Sequence, residues 1–179
     1  MLKIDIQKPI AKVTLDRPDL HNAFNDELIR LVTGAFTDIA IAAATTQFGF
    51  TEVRVGIIPS VVSPFVIARI GTANAREYFL TGERFTAEVA RSIGLIQHVA
   101  PDEAAIDTLI QAKVAEILKS SPNAVTSAKE VIFGVAGRSP ESVLDFTADA
   151  IARARASEDG RAGIAAFLSR SRPPWVPLP

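Results

Sequence analysis

The stretch FGFTEVRVGIIPSVVSPFVIARIG, residues 48–71, decides how the rest of this chain is interpreted. It carries one carboxylate, Glu52, and the backbone breakers Gly56, Pro59 and Pro64. Because glycine and proline interrupt regular secondary structure, the segment is predicted to bend several times within a few residues of Glu52. Bends of this kind place single side chains against ligands.

The second half of the stretch predicts a short helix. Ser63 is a candidate N-cap, Pro64 suits the first helical position, and Gly71 is a candidate stop. The helix carries apolar side chains that would not stand in water alone, namely Phe65, Val66, Ile67 and Ile70. It is therefore expected to pack against the core and to fix the loop that bears Glu52.

Past Gly71 the chain is predicted to be helical again. Thr72 is a candidate cap for a second helix from Ala73 to Leu80, and Gly82 is the candidate stop of that helix.

Continued through GTANAREYFLTGERFTAEVARSIGLIQHVAP, residues 71–101, this stretch resembles the second half of the core of the enoyl-CoA hydratase/isomerase (crotonase) superfamily. The variant IIPSVVSPFV is most similar to the methylglutaconyl-CoA hydratase branch. The resemblance implies an α/β fold, in which a ββα spiral core is followed by a C-terminal helical segment that packs subunits into trimers. It also implies a role in fatty acid or branched-chain amino acid catabolism.

The composition of the chain argues against several other classes of function. With 179 residues the chain makes one domain, or one domain with a helical appendage, and its 48% hydrophobic content predicts an oligomer. Nineteen basic and 20 acidic residues nearly cancel, so neither nucleic acid nor an anionic membrane is an expected partner. The chain has no cysteine and only His21 and His98, far apart, which argues against a metal site or a Ser-His-Asp triad.

The N-terminus shows no basic segment followed by an apolar region, and proline or charge breaks every apolar run well short of a membrane span. The simplest prediction is a cytoplasmic protein.

The N-terminal residues predict a β-hairpin, or two neighbouring strands, followed by a binding loop. Leu2 to Ile6 and Ile10 to Leu15 alternate apolar and polar residues around a turn. The sequence LDRPDLHNAFN then resembles the family's loop that meets the CoA nucleotide and pantetheine, which makes His21 and Ala23 candidate CoA contacts. The alternative is an ordinary turn with N-cap asparagines and a loop histidine.

The region between residues 36 and 41 departs from the family pattern. Apolar positions from Asp26 onward predict a helix to about residue 37. In the family, several tens of residues of strands and glycine-rich turns separate this helix from the strand before the glutamate loop. Here that strand follows at once, so residues 1–100 are interpreted as a shortened crotonase-like core.

Residues 101–179 predict the helical segment. Pro101-Asp102, Ser121-Pro122, Ser139-Pro140 and Asp159 mark helix starts. The end of the chain, AFLSRSRPPW, resembles the family's closing motif, in which basic residues approach the 3′-phosphate of CoA. Arg170 or Arg172 would be the phosphate partner, because a guanidinium group can donate two parallel hydrogen bonds to phosphate oxygens. The alternative is that both are merely solvated.

The resemblance also implies the chemistry. Addition of water to an α,β-unsaturated thioester needs an electron sink for the thioester oxygen, a base for the water and an acid for the α-carbon. Glu52 aligns with the family's second glutamate, which delivers the α-proton, and apolar neighbours (Phe48, Phe50, Val53 and Ile57) would favour its protonated form. A loop glutamate can also be simply solvated or cap a helix. No cofactor is expected beyond the CoA of the substrate.

The family's first glutamate and both backbone oxyanion donors belong to the missing segment. The expected function is an enoyl-CoA hydratase-type lyase that forms a homotrimer or hexamer. The alternative is a catalytically impaired or inactive remnant that serves as an oligomerisation or CoA-binding module. Removing even one oxyanion donor costs on the order of 10²-fold or more in rate, and this is the argument for the alternative.

Overall fold

A computed structural model describes residues 2–7, 10–15 and 38–176. The chain divides into two compact units, Met1–Ile110 and Gln111–Pro179. This division lies inside a helix, whereas the boundary inferred from sequence lies at residue 100. The predicted helix over residues 26–37 lies outside the described residues, as do residues 36 and 37 of the junction.

The strands of the described part form three separate two-stranded sheets. Strands β1 (Leu2–Gln7) and β2 (Ile10–Leu15) make the predicted antiparallel hairpin. Strand β3 (Ile41–Ala43) pairs in parallel with β6 (His98–Ala100), and β4 (Gln47–Gly49) pairs antiparallel with β5 (Arg84–Thr86). These short pairings position the segment that follows β4, which contains Glu52.

The core of the first unit contains two clusters of buried residues. The first consists of aromatic rings, alanines and an isoleucine, namely Tyr78, Phe85, Ala87, Ala90 and Ile96, and the second of Val66, Ile70 and Ala75. The rings of Tyr78 and Phe85 have centroids 4.2 Å apart. Burial raises the pKa of the Tyr78 hydroxyl, and the neighbouring carboxylates Glu77 and Glu83 raise it further.

Helix α1 (Ser63–Thr81) consists of two helical halves joined by a kink at Gly71. Gly71 itself is not helical, with φ 72° and ψ 168°, which confirms the predicted break between the two helices, and Gly82 ends the second half as predicted. The N-cap is Val62, and Pro64 is the second helical residue, so the prediction that Ser63 is the cap was wrong by one position. The Ser63 hydroxyl instead donates to the Ser60 carbonyl over 2.8 Å.

Five further helices complete the described part. They are α2 (Ala87–Ser92), α3 (Glu103–Ile117), α4 (Pro122–Val135), α5 (Leu144–Ala156) and α6 (Glu158–Leu168), with a 3-10 turn over Pro140–Val143 before α5. Among the described residues, no helix has the length and apolar character needed to cross a membrane.

Serine caps start most of the helices of the second unit. Ser121, Ser139 and Ser157 each accept a backbone N–H of the following turn. Ser157, not the predicted Asp159, caps α6. Asp159 instead accepts a 2.5 Å hydrogen bond from the buried Ser121 hydroxyl, which ties the start of α6 to the start of α4.

Candidate functional site

Glu52 lies on a short 3-10 helix, Thr51–Val55, that follows strand β4 directly. Its side chain is half-buried. Phe50, which precedes this turn, packs edge to face on Phe79 with ring centroids 4.9 Å apart. The turn is therefore anchored to the core on the N-terminal side of Glu52.

A glycine closes the same turn on its C-terminal side. Gly56 has φ 80°, which L side chains rarely adopt, and its N–H donates to the Val53 carbonyl over 3.3 Å. The N–H of Ile57 donates to the Glu52 carbonyl over 3.2 Å. The bend predicted from Gly56 is confirmed. Its two hydrogen bonds fix the backbone of Glu52 from the C-terminal side of the turn.

The end of helix α1 supports the turn from a third direction. Gly82 ends α1 with φ 59°, and a Cβ placed on it would lie 3.0 Å from Val53 Cγ2 and 3.1 Å from Arg54 Cγ. A side chain at residue 82 would therefore push against the two residues that follow Glu52. The sequence identified Gly82 as a helix stop but gave no sign of this packing.

The apolar surroundings predicted for Glu52 are only partly present. Phe48 and Phe50 pack against the core, and Val53 is half-buried. Ile57, in contrast, is 60% exposed and belongs to a run of exposed apolar side chains beyond the turn, namely Val55, Ile57, Ile58, Val61 and Phe65. The apolar loop therefore faces outward over much of its length.

The other predicted site residues lie elsewhere. His21 and Ala23 are outside the described residues. No functional role is predicted for His98. It lies half-buried in β6, and its backbone N–H donates to the Ala40 carbonyl over 3.2 Å. Within residues 2–7, 10–15 and 38–176, no group of three histidine or acidic side chains could hold a metal ion.

Arg170 and Arg172 follow helix α6 in the second unit, and both are exposed. The Arg170 N–H donates to the Phe167 carbonyl over 3.2 Å, and the Ser171 N–H donates to the Ala166 carbonyl over 2.8 Å. This pair of bonds is the Schellman pattern of helix ends. Arg170 has φ 54° at the position where glycine is usual, so the chain keeps a guanidinium group there at a conformational cost.

A sequence profile of enoyl-CoA hydratase/isomerase proteins matches residues 31–177. The chain belongs to this family. The 2,3-dehydroadipyl-CoA hydratase of Escherichia coli is 28% identical over 182 residues, covering 93% of this chain and 71% of that protein. The chain spans about half the length of its curated relatives from Thermus thermophilus and Bacillus subtilis, 53% in each.

Solved structures agree with the family assignment. An enoyl-CoA hydratase of Mycobacterium smegmatis matches with a TM-score of 0.73 and 27% identity over 83% of this chain and 56% of that chain. A crotonase structure from Legionella pneumophila matches with a TM-score of 0.79 over 97% of this chain and 98% of that chain; at 24% identity it supports the fold alone. The predicted crotonase-like α/β fold is confirmed, whereas the methylglutaconyl-CoA branch stays a prediction.

Proposed function

We propose that the protein acts on an α,β-unsaturated acyl-CoA thioester as a hydratase-type lyase, with Glu52 as the group that delivers a proton to the α-carbon. The observation that carries this proposal is the fixed, half-buried Glu52, which three contacts hold at the edge of the core. Family membership supports the thioester substrate. No cofactor is proposed beyond the CoA of the substrate.

The reaction would add water with syn geometry. The oxygen of water forms a bond to the β-carbon and loses one proton to the solvent, while the π electrons move toward the thioester oxygen to give an enolate. The enolate then re-forms the carbonyl as the α-carbon takes the proton of the Glu52 carboxyl group, and the solvent reprotonates Glu52. A half-buried carboxyl group held on a rigid turn suits this transfer to the α-carbon, because general acids act from a fixed position. The resemblance assigns the base for water and the oxyanion donors to the segment that this chain lacks.

The missing segment also supports a second candidate function. In this alternative the chain is a CoA-binding or oligomerisation module that retains Glu52 without the rest of the catalytic residues. Exposed apolar side chains on the helices of the second unit support this alternative, among them Ile132, Phe133, Ile151, Phe167 and Leu168. We propose a homotrimer or hexamer in either case, and the cytoplasmic placement stays a prediction.

Hydration of a short enoyl-CoA and exchange of the α-proton of a saturated acyl-CoA in D₂O separate the two functions. If the proposal holds, the chain catalyses both, and Glu52→Gln lowers both rates by about 10²-fold or more, since general acid catalysis contributes 10² to 10⁴. Glu83→Gln is the matched control, because Glu83 is exposed in the same unit, and it should leave both rates within a few-fold.

The outcomes exclude different functions. If hydration is no faster than in buffer without protein, while calorimetry shows CoA binding, the lyase proposal is wrong and the CoA-binding module is the function that remains. Proton exchange without hydration would keep Glu52 in its proposed role and locate the deficiency in the activation of water. Equal rates for Glu52→Gln and wild type would remove Glu52 from the chemistry.

A CoA contact is also proposed for the end of the chain, where Arg170 or Arg172 would bind the 3′-phosphate. Both side chains are exposed, and the Schellman bonds fix the backbone that carries the first of them. Charge-assisted hydrogen bonds to phosphate are stronger than neutral ones. Affinity for CoA compared with 3′-dephospho-CoA measures this contact directly.

A further inference from the structure

The residues after helix α6 form an ordered segment, Ser169–Val176, called here the C-terminal strap. Its first half is bonded to the helix through the Ser169 and Ser171 N–H groups, which donate to Ala165 and Ala166 over 3.0 and 2.8 Å. Its second half turns on Pro173, whose carbonyl accepts the Val176 N–H over 3.2 Å. Two consecutive prolines restrict φ and so reduce the freedom of the strap.

Trp175 joins the strap to two other elements of the second unit. Its indole Nε1 donates to the backbone carbonyl of Lys119, just beyond α3, over 3.3 Å. Its ring lies against Gly163 of α6, where a Cβ would come within 2.9 Å of Trp175 Cη2. The ring is half-buried. Only glycine at residue 163 leaves room for the indole in this position.

The two anchors enclose Arg172. On one side the Ser171 N–H is bonded to the end of α6, and on the other Trp175 is held by Lys119 and Gly163. The backbone of Arg172 is therefore fixed before any ligand binds. Preorganisation of this kind increases affinity, because the ordering cost is not incurred on binding.

We propose that Trp175 is a positioning residue that holds the strap so that Arg172, next to Arg170, meets the 3′-phosphate of CoA. This inference rests on the phosphate contact of the proposed function. It assigns a role to a side chain that touches no part of the ligand. The simpler role for Trp175 would be to stabilise the second unit as a whole, and the two roles give different binding results.

Affinities for CoA and 3′-dephospho-CoA, measured by calorimetry, distinguish them. Wild type should bind CoA at least about tenfold more tightly, the effect expected of a hydrogen bond between charged groups. Trp175→Ala should abolish this preference and leave the affinity for 3′-dephospho-CoA within about threefold. Trp175→Phe, which keeps a ring but loses the donor, should retain part of the preference.

Three results would contradict the proposal. If Trp175→Ala keeps the preference for CoA, the strap does not position the arginines. If both affinities fall equally, Trp175 has only a structural role. If wild type itself shows no preference, the phosphate contact fails, and the role of Trp175 in binding fails with it.

A second experiment measures, without any ligand, how firmly Trp175 holds the C-terminal strap. Trypsin cleaves after Arg170, whereas the Arg172-Pro173 bond resists it, so release of the peptide that begins at Ser171 reports how firmly the strap is held. Trp175→Ala should accelerate this cleavage. Gly163→Val should do the same and shift the fluorescence of the single tryptophan toward longer wavelength, since the displaced ring meets water. If cleavage is unchanged in both variants, Trp175 does not hold the C-terminal strap, whatever the CoA measurements give.

Discussion

Arg170 occupies the position of a helix end at which proteins most often use glycine. The left-handed conformation, φ 54°, costs a residue with a Cβ about 1 kcal/mol relative to glycine. The hydrogen bonds of the Schellman motif do not require an arginine, because both are made by backbone groups. The guanidinium group is therefore kept for something other than the helix end.

Substitution of Arg170 should separate stability from binding. Arg170→Gly is expected to raise the free energy of unfolding by about 1 kcal/mol, since the strain is relieved, and to weaken CoA binding if Arg170 is the phosphate partner. Arg170→Ala, the control, removes the same charge but keeps the strain, so it should weaken binding without stabilising. Urea denaturation gives the first quantity and calorimetry the second. A destabilised Arg170→Gly variant would contradict the argument.

Features of single residues could be predicted from the sequence where they depend only on neighbouring residues. A carboxylate between breakers predicted that Glu52 lies on a tight turn, and Gly56 closes that turn as expected. The sequence could not reveal the support from Gly82, nor the Trp175 anchor, whose hydrogen-bond partner is 56 positions away. Both depend on which elements pack together, and that is decided by the whole fold.

Among the helices, α1 shows a local signal and packing in agreement. Gly71 interrupts the helix as predicted, and the two halves stay together because Val66 and Ile70 on one side and Ala75 on the other are buried in one cluster. The serine caps of α4 and α6 follow from their own hydrogen bonds. The cap of α6 was predicted at Asp159 because serine and aspartate are both good capping residues. In the structure the Ser157 hydroxyl accepts the Gly160 N–H, and the Asp159 carboxylate accepts a hydrogen bond from Ser121 instead.

Gly82 tests whether the end of α1 positions the Glu52 turn. Gly82→Ala should destabilise by about 1–2 kcal/mol from its positive φ, and by more if Val53 and Arg54 cannot yield. The rate of α-proton exchange per folded molecule should also fall. Gly137→Ala is the matched control, because Gly137 has φ 72° with nothing within 4 Å of the added carbon. Loss of exchange in both variants would mean that general instability, and not displacement of the turn, is responsible.

Each of the two units has apolar side chains that the described residues leave exposed. In the first unit several of them follow Glu52 in the sequence, and in the second several lie on successive helices. The latter include Ile132 and Phe133 on α4, Leu144 and Ile151 on α5, and Phe167 and Leu168 on α6, all at least 58% exposed. Monomers seldom expose large apolar patches, so this number of exposed apolar side chains is a reason to expect burial between subunits.

Light scattering of the intact chain tests this assembly. Wild type is expected to have three or six times the monomer mass of 19.1 kDa, and the ratio decides between trimer and hexamer. Ile132→Glu with Phe133→Glu should reduce the mass to that of the monomer, because two carboxylates would have to lose their water in an apolar interface at a cost of several kcal/mol. Leu80→Glu is the control, since Leu80 is 74% exposed and belongs to α1 of the first unit, not to the helices of the second. A wild-type mass that survives the double substitution would locate the subunit contact elsewhere, and a monomeric wild type would overturn the oligomer altogether.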